Sequence, residues 1–453
     1  MRHFRRHQLA GYWEGWAFAG LTLPVLLVRE SSFPYGAVPK WCAVYVLAVF
    51  CCYILARARY DRFDLSVSAL VVFAAASWFW AIDPLGVVPG VINWIALGIV
   101  VLAARRVRDF TPVLAAVTLG SVVVTFEAWF RPGYFGGFGN ENFITEFLLI
   151  AAPFILAGPW PWAAVFPAAY VIGVNGSRLE LVAAGAWFAW VARWWCVLLI
   201  PAAGVGYWLG DFNTSVAYRL DAWRAAWAMF LAAPWMGHGL GGFDTQYLAF
   251  AAAGQSLVNS DVYTPGATHS EPLQLLAELG LVGAALAALV GIMAWQCRGD
   301  RQWPVWVLAA VLGLSLVDFP LQHPGSGLLA AIALGAATQQ RRAGNDFNWV
   351  AVPALVVAAL LVVAGVQQYR AQRAFARTFA LFETHPPVAH YYNEAALAAW
   401  PYSKRIRWQL MSTALRSGAD HAAVMRAIAA AESAYPHHPR IAQAEELEWT
   451  RTR

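Results

Sequence analysis

The residues best equipped for chemistry sit in a few short turns. His269 lies in Ala267-Thr268-His269-Ser270-Glu271-Pro272, just before a long apolar run. A neutral imidazole there can take a proton near physiological pH, and Glu271 is near enough in sequence to orient it. A lone histidine before a helix is also commonly structural or merely exposed. A second histidine, His323, stands in Asp318-Phe319-Pro320-Leu321-Gln322-His323-Pro324; two histidines without a third ligand make a poor zinc site. Arg219 opens Tyr218-Arg219-Leu220-Asp221-Ala222-Trp223-Arg224, and Arg219, Trp223, Trp227 and Phe230 recur at helical spacing. Such a helix can rest in a membrane interface with its arginine directed at a lipid head group, or lie there without touching a substrate. In Asn175-Gly176-Ser177-Arg178-Leu179-Glu180, Arg178 can fork onto a phosphate, snorkel to the interface or pair with Glu180. Finally, Gly136-Gly137-Phe138-Gly139-Asn140-Glu141-Asn142 is a tight turn whose Asn140 and Asn142 amides and backbone N–H groups can bond sugars or phosphate oxygens. No strand precedes it and its glycine spacing is wrong for a dinucleotide fingerprint.

The elements that must position these residues are dictated by composition. Of 453 residues 60% are hydrophobic and 13% charged, with a mean hydropathy of +0.52, about half the charge density of a soluble domain. Apolar runs of roughly 20 residues recur along the chain, as a hydrocarbon core of about 30 Å demands of a helix, and they do not alternate as barrel strands would. The expected class is an all-α polytopic membrane protein of about thirteen transmembrane helices, from residues 11–28 to residues 349–365. The first of these is read as an uncleaved span after a basic N-terminus. The five cysteines, Cys42, Cys51, Cys52, Cys196 and Cys297, form no CxxC pair, so a disulfide framework or metal cluster is not expected. The +5 charge resides mostly in short loops, where it sets topology rather than binding nucleic acid.

Arg5, Arg59, Arg62, Arg105, Arg106, Arg108, Arg193, Arg298, Arg301 and Arg342 fall on one side of the expected spans, which is then cytoplasmic. The loop 210–272 and the turns bearing Asn140, Arg178 and His323 fall on the other. Residues 1–368 make the membrane domain. Residues 369–453 are charged and alanine-rich, and Trp400-Pro401-Tyr402 recurs in kind as Tyr435-Pro436-His437, near the roughly 34-residue period of a tetratricopeptide. One or two such units, or a plain pair of helical hairpins, would account for this tail on the outer side.

Taken in chain order, Asn140-Glu141-Asn142 entering a span, Ser177-Arg178 at a span end, Arg219 to Trp223, Pro234 to Phe243 with Gly237, Gly239 and Gly241, and His269 followed by Leu273-Gln274-Leu275-Leu276-Ala277-Glu278-Leu279-Gly280 resemble the bacterial O-antigen ligase and polymerase family. The motifs run over residues 133–291, and the membrane topology extends the likeness to most of the chain. Ser270 stands where that family usually has asparagine, and Glu141 where it usually has proline. The resemblance implies a GT-C-like, metal-independent glycosyltransferase of the inner membrane with a periplasmic active site and no cofactor. Its donor would be an undecaprenyl-diphosphate-linked glycan. Its acceptor would be a hydroxyl of another glycan, of the lipid A core or, in a protein O-oligosaccharyltransferase, of a protein. It implies His269 as catalytic base and Arg178 and Arg219 on the diphosphate, with Asn140, Asn142, Arg224, Glu271 and His323 in supporting places. The Gly-Asn-x-Asn turn favours a glycan acceptor. The competing class, a secondary transporter, would place ionisable groups at the midplane of two related halves; Glu14, Glu127 and Glu146 lie near span ends and no such repeat is visible.

Overall fold

The computed structural model describes residues 2–28, 37–55, 60–131, 141–173, 212–251, 265–338 and 351–452. All regular structure among them is helical. The helices are α1 (Arg2–Leu27), α2 (Val38–Leu55), α3 (Arg62–Ala76), α4 (Pro84–Ala104), α5 (Thr111–Phe130), α6 (Glu141–Ala157), α7 (Val165–Gly173), α8 (Phe212–Ala232), α9 (Gly242–Phe250), α10 (Glu271–Gln296), α11 (Trp303–Ser315), α12 (Pro324–Ala337), α13 (Ala351–Leu381), α14 (Pro386–Ala399), α15 (Lys404–Ser417), α16 (His421–Ala434) and α17 (Pro439–Thr452). The expected spans 179–191 and 196–209 lie outside the described residues.

Among the described residues, 6 helical stretches are long and apolar enough to cross a bilayer: Val38–Leu55, Arg62–Phe79, Pro84–Ala104, Thr111–Phe130, Glu271–Gln296 and Pro353–Leu381. Asn142–Ala157, Trp303–Ser315 and Pro324–Ala337 are shorter and apolar. The way α13 places its side chains suits lipid rather than water. Leu355, Leu360 and Val363 are 63%, 62% and 57% exposed while Ala358, Leu361 and Ala364 are buried, an outward apolar surface that a soluble protein rarely tolerates. This is a membrane protein.

Two compact units divide the chain: residues Met1–Val67, Ala96–Asn213 and Val290–Val362, and residues Ser68–Ile95, Thr214–Leu289 and Val363–Arg453. In the first, α1 packs along α5 with Leu26 against Gly120, where a Cβ would stand 2.8 Å from the leucine. Trp303 of α11 meets Phe154 of α6 at 4.8 Å between ring centroids. Arginine-bearing helix ends gather at one place. Arg105, 1% exposed, donates to Asp61 at 2.9 and 2.8 Å, to Asp64, and to the carbonyl of Thr338 at 3.0 Å. Arg106 donates to Asp64 at 2.8 Å, and Arg301 to the carbonyl of Arg108 at 3.0 Å. Asp61 also caps α3, accepting from the amides of Phe63 and Asp64. Buried charge is tolerated here because every cation meets a carboxylate or carbonyl. Arg105 holds the Asp61 carboxyl down to about 2.

The second unit contains the end of α3, the start of α4, α8, α9, most of α10 and the tail. One of its cores joins Ala74, Val87, Leu240 and Leu279. The tail is built from α14 to α17, each of 14 residues; α14 and α15 start at Pro386 and Lys404, and α16 and α17 repeat that offset at His421 and Pro439. Ser403 and Asp420 cap α15 and α16 through their side-chain oxygens. Leu410, Met411, Ala414, Val424, Ala427, Ile428, Ile441 and their neighbours fill the core between them.

Candidate functional site

The glycine-rich stretch after α8 is spliced into a break in α10. At Gly280 the backbone turns to φ 61°, ψ −163°, a conformation essentially confined to glycine. The break frees groups that an unbroken helix would pair internally, and the stretch takes them up. His238 N donates to Ala277 O at 3.0 Å and Gly239 N to Glu278 O at 2.8 Å; in return Leu281 N donates to Pro234 O at 2.8 Å and Val282 N to Trp235 O at 3.1 Å. Backbone groups inside an apolar span need such partners. The approach leaves no room for side chains: a Cβ on Gly280 would stand 2.5 Å from the carbonyl of Trp235. On the other side, Leu240 N donates to Ser77 Oγ at 3.0 Å and Trp80 Nε1 to Met236 O at 3.2 Å.

The Glu278 carboxylate lies at the centre of this splice. It accepts from Gly241 N at 2.8 Å, Phe243 N at 3.3 Å and Gln274 Nε2 at 3.1 Å, and it is buried. Gln274 Oε1 in turn accepts from Thr268 N at 3.2 Å. Thr268 closes a small turn, its hydroxyl donating to Ser270 O at 2.6 Å and accepting from Ser270 N at 3.0 Å. His269 sits between them with φ 53°, the one positive φ outside glycine among the described residues. Histidine reaches that region more readily than most side chains, but at a cost of order 1–3 kcal/mol that the surroundings must enforce. Its ring is half-buried between buried neighbours.

Helix α8 delivers the arginine. Its alanine face, Ala222, Ala225 and Ala226 with Met229, packs on Phe243, Tyr247 and Ala277, small side chains permitting close approach. Trp227 of the aromatic stripe is left 48% exposed. At the start of the helix the Tyr218 ring meets the His269 ring edge-on at 5.5 Å, and Trp223 Nε1 donates to His269 O at 3.3 Å. Arg219, 7% exposed, lies between these two contact residues. Arg224 is outward and pairs with Asp221 at 3.1 Å. Glu271 is the first residue of α10.

His269, Arg219, Arg224 and Glu271 therefore share the second unit. Asn142 and His323 belong to the first, where the His323 ring lies tilted against those of Phe143 and Phe319 at 3.7 and 4.9 Å; Asn142 is next to Phe143 at the start of α6. Arg178 and Asn140 lie outside the described residues. Motif reading passed over His238, whose Nε2 lies 3.0 Å from Met229 O and whose pKa is held below the usual histidine range by burial. It also passed over α9, where Thr245 Oγ1, Gln246 Nε2 and Tyr247 Oη are buried without a hydrogen bond among the described residues. Burial, with Asp221 adding to it, pushes the Tyr247 hydroxyl up to about 12, so it is a proton donor at neutral pH. Groups buried in this way cost about 1–3 kcal/mol each unless something bonds them. No protein-family model and no curated protein matches the chain.

Proposed function

We propose that the chain is a membrane glycosyltransferase of the O-antigen ligase or polymerase type, acting at the periplasmic face of the bacterial inner membrane. It transfers a glycan from an undecaprenyl-diphosphate carrier to a hydroxyl of a growing glycan or of the lipid A core. The observation that carries this reading is the contact of α8 with His269, which brings Arg219 and the imidazole, far apart in sequence, into one unit. In the reaction the acceptor oxygen attacks the anomeric carbon, the bond from that carbon to the phosphate oxygen breaks, and the electron pair leaves on the diphosphate. His269 takes the acceptor proton and later releases it to water, while Arg219 and Arg178 meet the charge developing on the leaving group. Exposed apolar side chains such as Trp227 and Leu231 on α8 suit the prenyl chain, each buried CH₂ of which adds about 0.8 kcal/mol. The tail, with its two like-offset helix pairs, fits a tetratricopeptide-like periplasmic module.

The test is transfer by the purified protein from a carrier-linked donor, assayed in EDTA, because arginines take the place of a metal in this scheme. Turnover without added metal is expected; restoration only by a divalent cation would overturn the role given to the arginines. Deletion of the gene, followed by analysis of surface glycan length and attachment, separates glycan from protein acceptors.

A further inference from the structure

The tail grips the glycine loop, and the grip continues bond by bond to His269. Lys404, the first residue of α15, donates to Gly241 O at 2.6 Å and lies 3.7 Å from the Asp244 carboxylate. Tyr435, between α16 and α17, donates to that same carboxylate at 3.2 Å. Glu278 binds the amides on either side of Gly242, at Gly241 and Phe243, so the Gly241–Gly242 backbone is clamped between the tail's cation and a carboxylate of α10. From Glu278 the path runs through Gln274 to the amide of Thr268, whose carbonyl carbon is bonded to His269. The strained φ at His269 needs surroundings that over-determine it, and the Gln274 bond is the one that ties this turn to the loop and the tail among the described contacts.

We propose that Lys404, Glu278 and Gln274 are positioning residues for His269, so that the docked tail sets the orientation of the imidazole. The inference rests on the reading of His269 as the general base. The docking itself does not depend on Lys404. Arg407 donates to both oxygens of Asp83 at 3.0 and 2.6 Å and to Ser433 Oγ at 2.8 Å, with its side chain and that of Asp83 3% and 4% exposed. Removing the Lys404 cation therefore cuts the relay and leaves the tail in place.

The experiment compares purified wild type with Lys404→Met, Lys404→Arg, Gln274→Leu and the Lys404→Met/Gln274→Leu double variant, using a carrier-linked donor. Lys404→Met is expected to lower kcat about tenfold while leaving the donor KM and the melting temperature near wild type, and Lys404→Arg to restore most of the loss. In the double variant the kcat should be no lower than in Gln274→Leu alone, since both cut one path. Independently of activity, the imidazole resonance of ¹⁵N-labelled protein that disappears in His269→Ala should move in Lys404→Met. If that resonance moves but no form transfers glycan, the relay stands and the glycosyltransferase reading falls. If wild type is active and Lys404→Met changes neither resonance nor kcat, or the two losses multiply, the relay is wrong.

Discussion

His269 combines a backbone conformation that few side chains accept with two contacts from α8, the edge of the Tyr218 ring and a hydrogen bond from Trp223 to its carbonyl, on both sides of Arg219. An arginine so placed is useful for more than its charge, because a planar fork meets two phosphate oxygens at once. Arg219→Lys and Arg178→Lys keep the cation and lose the fork. Each is expected to lower kcat/KM for the carrier-linked donor by about 10-fold to 100-fold, roughly 1.4 to 2.7 kcal/mol of transition-state stabilisation. Wild-type kcat/KM in Arg219→Lys would mean that the side chain acts only as a point charge. At this scale the sequence nominated His269 and Arg219 as candidates by residue type alone. It was silent on Thr245, Gln246 and Tyr247, because nothing in Asp244-Thr245-Gln246-Tyr247 says that the polar atoms are buried.

Helices are where local pattern and long-range partner part company. The Leu-Gln-Leu-x-x-Glu-x-Gly run reads as the beginning of an ordinary span, yet Gly280 breaks it and Glu278 and Gln274 turn to the loop. The break was not legible, since a glycine near a helix start usually signals nothing, and the groups it frees find partners some 40 residues earlier. Gly280→Ala must either leave that φ or place a Cβ 2.5 Å from the Trp235 carbonyl. It is expected to destabilise the protein by roughly 2–6 kcal/mol and to lower its melting temperature in detergent. Likewise α8 was read by its tryptophans, whereas its alanines make the packed face; a small-residue stripe is a weak sequence signal but fits a close helix contact. In the first unit, Arg105→Met would leave Asp64 facing a weakened cation set, a loss of about 3–5 kcal/mol. The Asp61 carboxyl, held at about 2 by Arg105, is ionised in the folded protein at pH values where the unfolded chain is already protonated. Its contribution is complete above the ordinary carboxyl range near 4 and fades as pH falls toward 2. The melting-temperature gap between wild type and Asp61→Asn should therefore shrink over that interval, and a gap that widens would reject the ion-pair account.

At the scale of the whole molecule, composition and apolar run length were enough to identify an all-helical membrane protein, because the bilayer imposes both on every span. Arg105, Arg106 and Arg301 gather with neighbouring helix ends; the side of the membrane they occupy belongs to the proposed orientation. What the pattern could not give is the use made of the tail, since the Lys404 contact with Gly241 and the Arg407 contact with Asp83 join segments far apart in sequence by single side chains. A tail bonded to the Gly241 loop must share that loop's side of the membrane, which in the proposed orientation is the periplasmic one. An enzyme reporter that is active only in the periplasm should work when fused after Arg453, and activity of a cytoplasmic reporter alone would reverse the proposed orientation. The proposed assignment makes His269 the general base and not His323, whose ring lies tilted against those of Phe143 and Phe319. It is tested most directly by measuring donor affinity and turnover separately in His269→Ala and His323→Ala. His269→Ala is predicted to bind the carrier-linked donor nearly as well as wild type and to turn over about 10² to 10⁴ times more slowly, with a smaller loss in His323→Ala; near-normal turnover in His269→Ala, or a greater loss in His323→Ala, would contradict it.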